Sequence, residues 1–272
     1  MAQNNVAAKP AAQAGGSSNL FSFLVVPIAA VVAVIVFVFI LGASSNYEGG
    51  NPENHALNLL GVIHKGGIIV PILMTTLLVA ITFIIERFLT IQRAKGAGSM
   101  DTFVKKLKFL LESGDVNTAI SECDKQKGSL GNVVKEGLLR YKAMEVDGSL
   151  DKETKVQNIQ KTLEEAVGLE LPMLEKNLVF LATIASVATL LGLFGTVLGM
   201  IKAFQALATA GSPDAAALAT GISEALINTA LGIGTSAISI IAYNYFTTQI
   251  DSMTYRIDES NYSISQTFAA KH

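Results

Sequence analysis

LLGLFGTVLGM, residues 190–200, is an apolar stretch that gives three of its eleven positions to glycine and one to threonine. Glycine costs about 0.8–1 kcal/mol relative to alanine at each interior helix site. Read at helical spacing, the glycines fall into a pattern. Ala182, Ala185, Thr189, Gly192, Thr196, Gly199 and Ala203 recur at intervals of three and four and form one stripe of small or hydroxylated residues. Residues 221–246 repeat the device with Ala225, Thr229, Gly232, Ser236 and Ser239, beside a face carrying Gly221, Glu224, Asn228 and Thr235. Inside a bilayer, small residues let helix backbones approach closely, and Ser or Thr hydrogen-bonds across the contact. Gly192, Gly195, Gly199 and Gly232 are therefore read as helix-packing positions.

Composition supports a bilayer. The chain has 272 residues, 50% of them hydrophobic and 15% charged, against about 25% charged in a soluble domain. Four runs, 21–41, 67–89, 178–201 and 221–246, reach the roughly 20 apolar residues that a spanning helix needs. The first run is read as a retained span, because its apolar core exceeds that of a signal peptide and its leader carries only Lys9. Cys123 stands alone and the three histidines are scattered, so no redox, zinc or catalytic spacing exists. The expectation is a protein that is not an enzyme, holds no metal or other cofactor and binds no nucleic acid.

Lys and Arg set the expected orientation. Residues 92–177 hold 14 of the 20 basic side chains. That segment is expected inside the cell, with both termini, in a bacterial inner (cytoplasmic) membrane. The expected division is a disordered cytoplasmic leader 1–20 and an additional transmembrane helix 21–42. A periplasmic segment 43–66 and a transmembrane helix 67–91 follow, then a cytoplasmic helical domain 92–177. A pore-lining helix 178–204, a periplasmic turn 205–220, a second pore-lining helix 221–248 and a cytoplasmic tail 249–272 complete the chain. Within the polar segment, Phe103, Leu107 and Leu110 share one helical face, and breaks are expected at ESGD (112–115) and GSLG (128–131). Its charges are read as a solvated face. The fold class is all-α, a polytopic membrane helical bundle with long helices extending into the cytoplasm.

Depth brings two threonines together. Thr196 lies six residues before Lys202 on the outward helix, about 9 Å at 1.5 Å per residue, and Thr229 lies five residues after Glu224 on the returning one, about 7–8 Å. The two hydroxyls share a level, as a polar constriction requires. Ser212 and Pro213 supply N-cap and first-turn signals for the antiparallel return. Glu224 is the one acid set inside an apolar run. A carboxylate at mid-membrane costs about 2.5–3.5 kcal/mol on insertion scales, so it should face protein or water. Two plainer readings stand beside this: glycines that only pack helices, and an interfacial glutamate.

GLFGTVLG (192–199), SEALINTALG (223–232) and AYN (242–244) together resemble the MotA/TolQ/ExbB proton-channel family, with ExbB nearest in pattern. The resemblance covers roughly residues 67–250. It implies an oligomeric ring, a pentamer, around a single-span ExbD-like partner that supplies an intramembrane aspartate. Thr196, Thr229 and Glu224 would belong to the proton pathway, with Thr189, Asn228 and Thr235 as accessory positions. Protons would be the coupling ion, and their flow would energise outer-membrane transport through a TonB-like protein. Three departures mark this chain: the additional first span, Thr189 where many relatives carry proline before the first motif, and Ile238 where a second proline is common. The alternatives are a MotA-like or TolQ-like stator subunit and a purely structural helix-packing membrane protein.

Overall fold

The computed structural model describes residues 15–52, 54–209 and 215–271. Most of the leader and the Ser212–Pro213 turn lie outside the described residues. Among the described residues nine α-helices follow one another: α1 (Gly15–Ile35, continued by a wider π turn, Val36–Leu41), α2 (Leu59–His64), α3 (Ile69–Ala94), α4 (Met100–Ser113), α5 (Val116–Gln126), α6 (Gly128–Val146), α7 (Lys152–Glu175), α8 (Leu178–Thr209) and α9 (Ala215–Lys271). Among the described residues there is no strand, only an isolated bridge between Tyr47 and Ala56. Segments of α1, α3, α8 and α9 are long and apolar enough to cross a membrane, so the molecule is an all-helical membrane protein with four candidate spans. Helix α9 continues unbroken past residue 248, so the expected tail is helix as far as Lys271.

The contacts divide the chain into two compact units. One runs up to Thr82 and resumes over Ile184–Ala237; the other comprises Phe83–Thr183 and Ile238–His272. The second unit has a soluble protein's core. Phe103, Leu107 and Leu110 of α4 are buried with Leu130, Val134 and Leu138 of α6, Ile159 and Leu163 of α7, and Ile257, Ile264 and Phe268 of α9. The Tyr141 and Phe268 rings meet edge to face at 4.8 Å. Caps punctuate the helices: Gly114 closes α4 at φ 82°, Asp115 accepts from Thr118 N, and Asp151 accepts from Thr154 N. The break expected at GSLG falls at its first residue. Lys127 and Gly128 both have positive φ and make the turn, and residues 128–131 then form the first turn of α6.

Helices α7 and α8 are kept apart at Asn177, whose φ is 66°. A helix end leaves its last carbonyls unpaired, and here a side chain from α3 takes them. The buried Arg87 donates through one guanidinium nitrogen to Met173 O at 3.3 Å and Leu174 O at 3.1 Å. Its other face pairs with Glu86, which also accepts from Asn177 Nδ2 at 3.3 Å.

Cys123 sits inside the same core and donates to Ala119 O at 3.2 Å. Burial pushes its thiol from 9.0 up to about 12. Only the thiolate is nucleophilic, so alkylation of the folded protein at pH 8 should run at least about a hundred-fold slower than in the denatured chain. Mass spectrometry of iodoacetamide-treated protein measures this, and equal rates would show that the α5–α6 core opens readily.

Candidate functional site

The site lies within the first unit, where α8 and α9 cross at their glycines. A Cβ added at Gly192 would stand 2.9 Å from Asn228 O and 3.1 Å from Gly232 Cα. One at Gly199 would stand 2.8 Å from both Ala225 N and Gly221 O. Side chains do not fit there, so the two backbones are in direct contact. Gly195 serves differently, leaving the space that the Asn228 side chain fills. The four glycines marked from the sequence all lie at this crossing.

Backbone contact brings the threonines together. Thr196 Oγ1 and Thr229 Oγ1 are hydrogen-bonded to each other. Thr196 Oγ1 also lies 3.2 Å from Gly192 O and 3.4 Å from Ala225 O, and Thr229 Oγ1 lies 3.2 Å from Ala225 O. Both side chains are half-buried, so the hydroxyl pair sits at the margin of the crossing. One turn and more further along, Ser236 Oγ donates to Ala185 O and fixes the register. The equal depth inferred from helix rise is what the structure has.

Glu224 faces elsewhere. Its carboxylate is nine-tenths covered and pairs with Lys202 Nζ at 2.6 Å. Five residues of α-helix separate Glu224 from Thr229 by about 140° of rotation, and the two occupy different surroundings accordingly. Asn228 is fully buried and donates from Nδ2 to Gly66 O at 2.9 Å, while its Oδ1 has no partner. Thr235 is buried as well, whereas Thr189 is exposed and Ala188, one position earlier, is fully buried. The stripe thus turns away at Thr189, which does not join the threonine pair.

Two contributors were missed in the sequence. By sequence Lys202 serves only as a depth reference on the outward helix, yet it pairs with Glu224. The turn at Gly66–Gly67 was passed over, although a Gly-Gly pair ahead of an apolar run is a turn signal. Among the described residues no cluster of His, Cys, Asp and Glu could hold a metal ion.

Comparison with known proteins gives this geometry a context. The family model described as the MotA/TolQ/ExbB proton channel family matches residues 125–259, which include the crossing. The Tol-Pal system protein TolQ of Pseudomonas aeruginosa is 27% identical over 203 residues, covering 73% of this chain and 87% of the relative. The biopolymer transport protein ExbB of Pseudomonas putida is 28% identical over 212 residues, 76% of this chain and 62% of the relative. TolQ of Haemophilus influenzae is 37% identical over 98 residues, 36% of this chain and 43% of the relative. Both names recur, so the lean toward ExbB read from the motifs does not separate it from TolQ.

The crossing generates a packing prediction. Gly232→Val would drive two methyl groups against Ala188 O and Gly192, and overpacking of this kind costs about 1–3 kcal/mol. The purified protein should unfold several degrees lower in detergent. An unchanged midpoint would show that the helices separate freely there.

Proposed function

Because this chain belongs to the MotA/TolQ/ExbB proton channel family, we propose that it is a proton-channel subunit of an inner-membrane complex that uses the proton motive force to energise outer-membrane transport. The observation that carries this reading is the Thr196–Thr229 hydroxyl pair, set at a glycine-lined crossing of two helices apolar enough to span a bilayer. Hydroxyls accept and donate at one atom, so the pair presents a proton-relaying surface without carrying charge into the membrane. It holds no acid of its own. The proton-bearing carboxylate would come from an ExbD-like single-span partner, and several copies of this chain, a pentamer by family likeness, would surround it. Protons are the coupling ion in this reading, and no other cofactor is needed.

Glu224 would act as an accessory carboxylate on the outer side of that path, poised by Lys202. Thr235 and Asn228 would line the neighbouring buried face. Residues 92–177 and both termini would lie in the cytoplasm, as the Lys and Arg distribution suggests. Each charge crossing 100 mV delivers about 2.3 kcal/mol, so a few protons suffice for conformational work on a TonB-like protein. A TolQ-type role in a Tol-Pal system is supported equally well, by a TolQ relative aligned over 87% of its length.

Replacing Thr196 and Thr229 together by valine keeps both shapes and removes both partners of the bond, which is close to neutral for folding. Loss of hydrogen bonds to a charged carrier is worth about 1.5–3 kcal/mol. Proton uptake by proteoliposomes bearing the complex isolated from native membranes should therefore fall about ten- to a hundred-fold. Uptake at the wild-type rate would rule out the pair as part of the path.

A further inference from the structure

The segment between α1 and α3 ends on the Glu224 carboxylate, and its own bonding explains how it gets there. Asn46 Nδ2 donates to Ile40 O at 2.8 Å and Leu41 O at 2.9 Å, which closes the π turn at the end of α1. Its Oδ1 accepts from Asn58 Nδ2 at 3.0 Å, and Asn58 in turn caps α2 by accepting from Gly61 N. At the far end of α2, His64 is held by Tyr47 Oη at 2.6 Å and by the Phe37 ring at 4.5 Å. Helix α2 is thus pinned at both ends, and the chain leaves it through Lys65 into Gly66–Gly67.

Those two glycines meet α9 at three residues, Glu224, Ile227 and Asn228. Gly66 O accepts the hydrogen bond from the fully buried Asn228. A Cβ at Gly66 would stand 3.2 Å from Ile227 Cγ2 and 2.5 Å from Val70 Cγ2. At Gly67, where φ is +75°, a Cβ would collide with Glu224 Oε1, stand 3.1 Å from Glu224 Cδ and 3.5 Å from Lys202 Nζ. The missing side chain of Gly67 therefore leaves, beside Lys202, the space that the carboxylate oxygen occupies.

We propose that Gly67 is a positioning residue for Glu224, and that Asn228 tethers the turn which carries it. The space that Gly67 leaves open lets Oε1 lie 2.6 Å from Lys202 Nζ, so one carboxylate oxygen sits in the ion pair. Any residue but glycine displaces that oxygen. The inference rests on the proton-path role of Glu224 for its functional readout, and on contact geometry alone for its structural one.

A double-mutant cycle tests it: wild type, Gly67→Ala, Glu224→Asp and the double variant, each as the full chain in the complex isolated from native membranes. Proton uptake in proteoliposomes and the thermal unfolding midpoint are both recorded. Gly67→Ala should slow uptake on the order of ten-fold or more, as misplaced reacting groups do. Glu224→Asp draws the carboxylate back by one methylene, so the double variant should recover to within about three-fold of Glu224→Asp alone. An alanine variant as fast as wild type would overturn the proposal. So would a double variant that loses the full Gly67→Ala factor relative to Glu224→Asp, since left-handed backbone strain alone would then explain the loss. Asn228→Ala removes the tether without touching Gly67 and should slow uptake in the same direction; a folded variant at the wild-type rate would overturn the tether. If Glu224→Gln leaves uptake unchanged, the proton-path reading fails while the cycle still decides this one: non-additive unfolding midpoints support the contact, and additive ones contradict it.

Discussion

Direct backbone contact between α8 and α9 is the constraint on which the first unit depends. Gly192 against Gly232 and Gly199 against Gly221 leave no room for a side chain. Lipid tails are as apolar as leucine, so a membrane helix gains nothing by hiding leucines from them, and close packing with cross-helix hydrogen bonds must supply the association. The glycines cost helix propensity at every position. What they permit is an approach short enough for Thr196 to reach Thr229 and for Ser236 to reach Ala185 O. The large side chains of the same helices, Leu190, Leu193, Phe194 and Val197 on α8, are left exposed.

The second unit is governed by the opposite rule. Its helices bury leucine, isoleucine and aromatic side chains away from water in the ordinary manner, and its exposed faces carry ion pairs such as Lys106–Glu122 and Lys135–Asp124. Arg87 is the exception there. A buried guanidinium is tolerated because every direction it faces offers an oxygen: two carbonyls freed by the end of α7 and the Glu86 carboxylate. One chain therefore uses two solvents' worth of packing rules, and the difference is visible in composition along the sequence.

Much of this was legible in the residues. The apolar runs marked the four long helices, the three-and-four spacing of small residues marked the crossing, and helix rise placed Thr196 level with Thr229. Legibility ended where a contact depends on a turn. Nothing local ties Gly67 to Glu224, 157 positions away, or predicts that Asn228 reaches the carbonyl of Gly66. Lys202 is only a depth reference in the sequence because its pairing with Glu224 exists only after the antiparallel return is made. Thr189 fitted the stripe by count, but the helix turns Ala188 inward in its place. GSLG carried turn residues, yet the turn needs only Lys127 and Gly128 at positive φ, so the rest is free to be helix. Relatives named TolQ and ExbB both align with this chain at similar identity, so the alignments do not favour the one name toward which the pattern leaned.

In the proposed reading this chain supplies hydroxyls and packing while another protein supplies the acid. Gentle solubilisation of the native membrane, purification through this chain and mass spectrometry of the intact complex test it most directly. The expected result is several copies of this chain around a single-span protein whose membrane segment contains an aspartate. An oligomer of this chain alone that still conducts protons after reconstitution would contradict it, and would place the proton carrier among this chain's own residues.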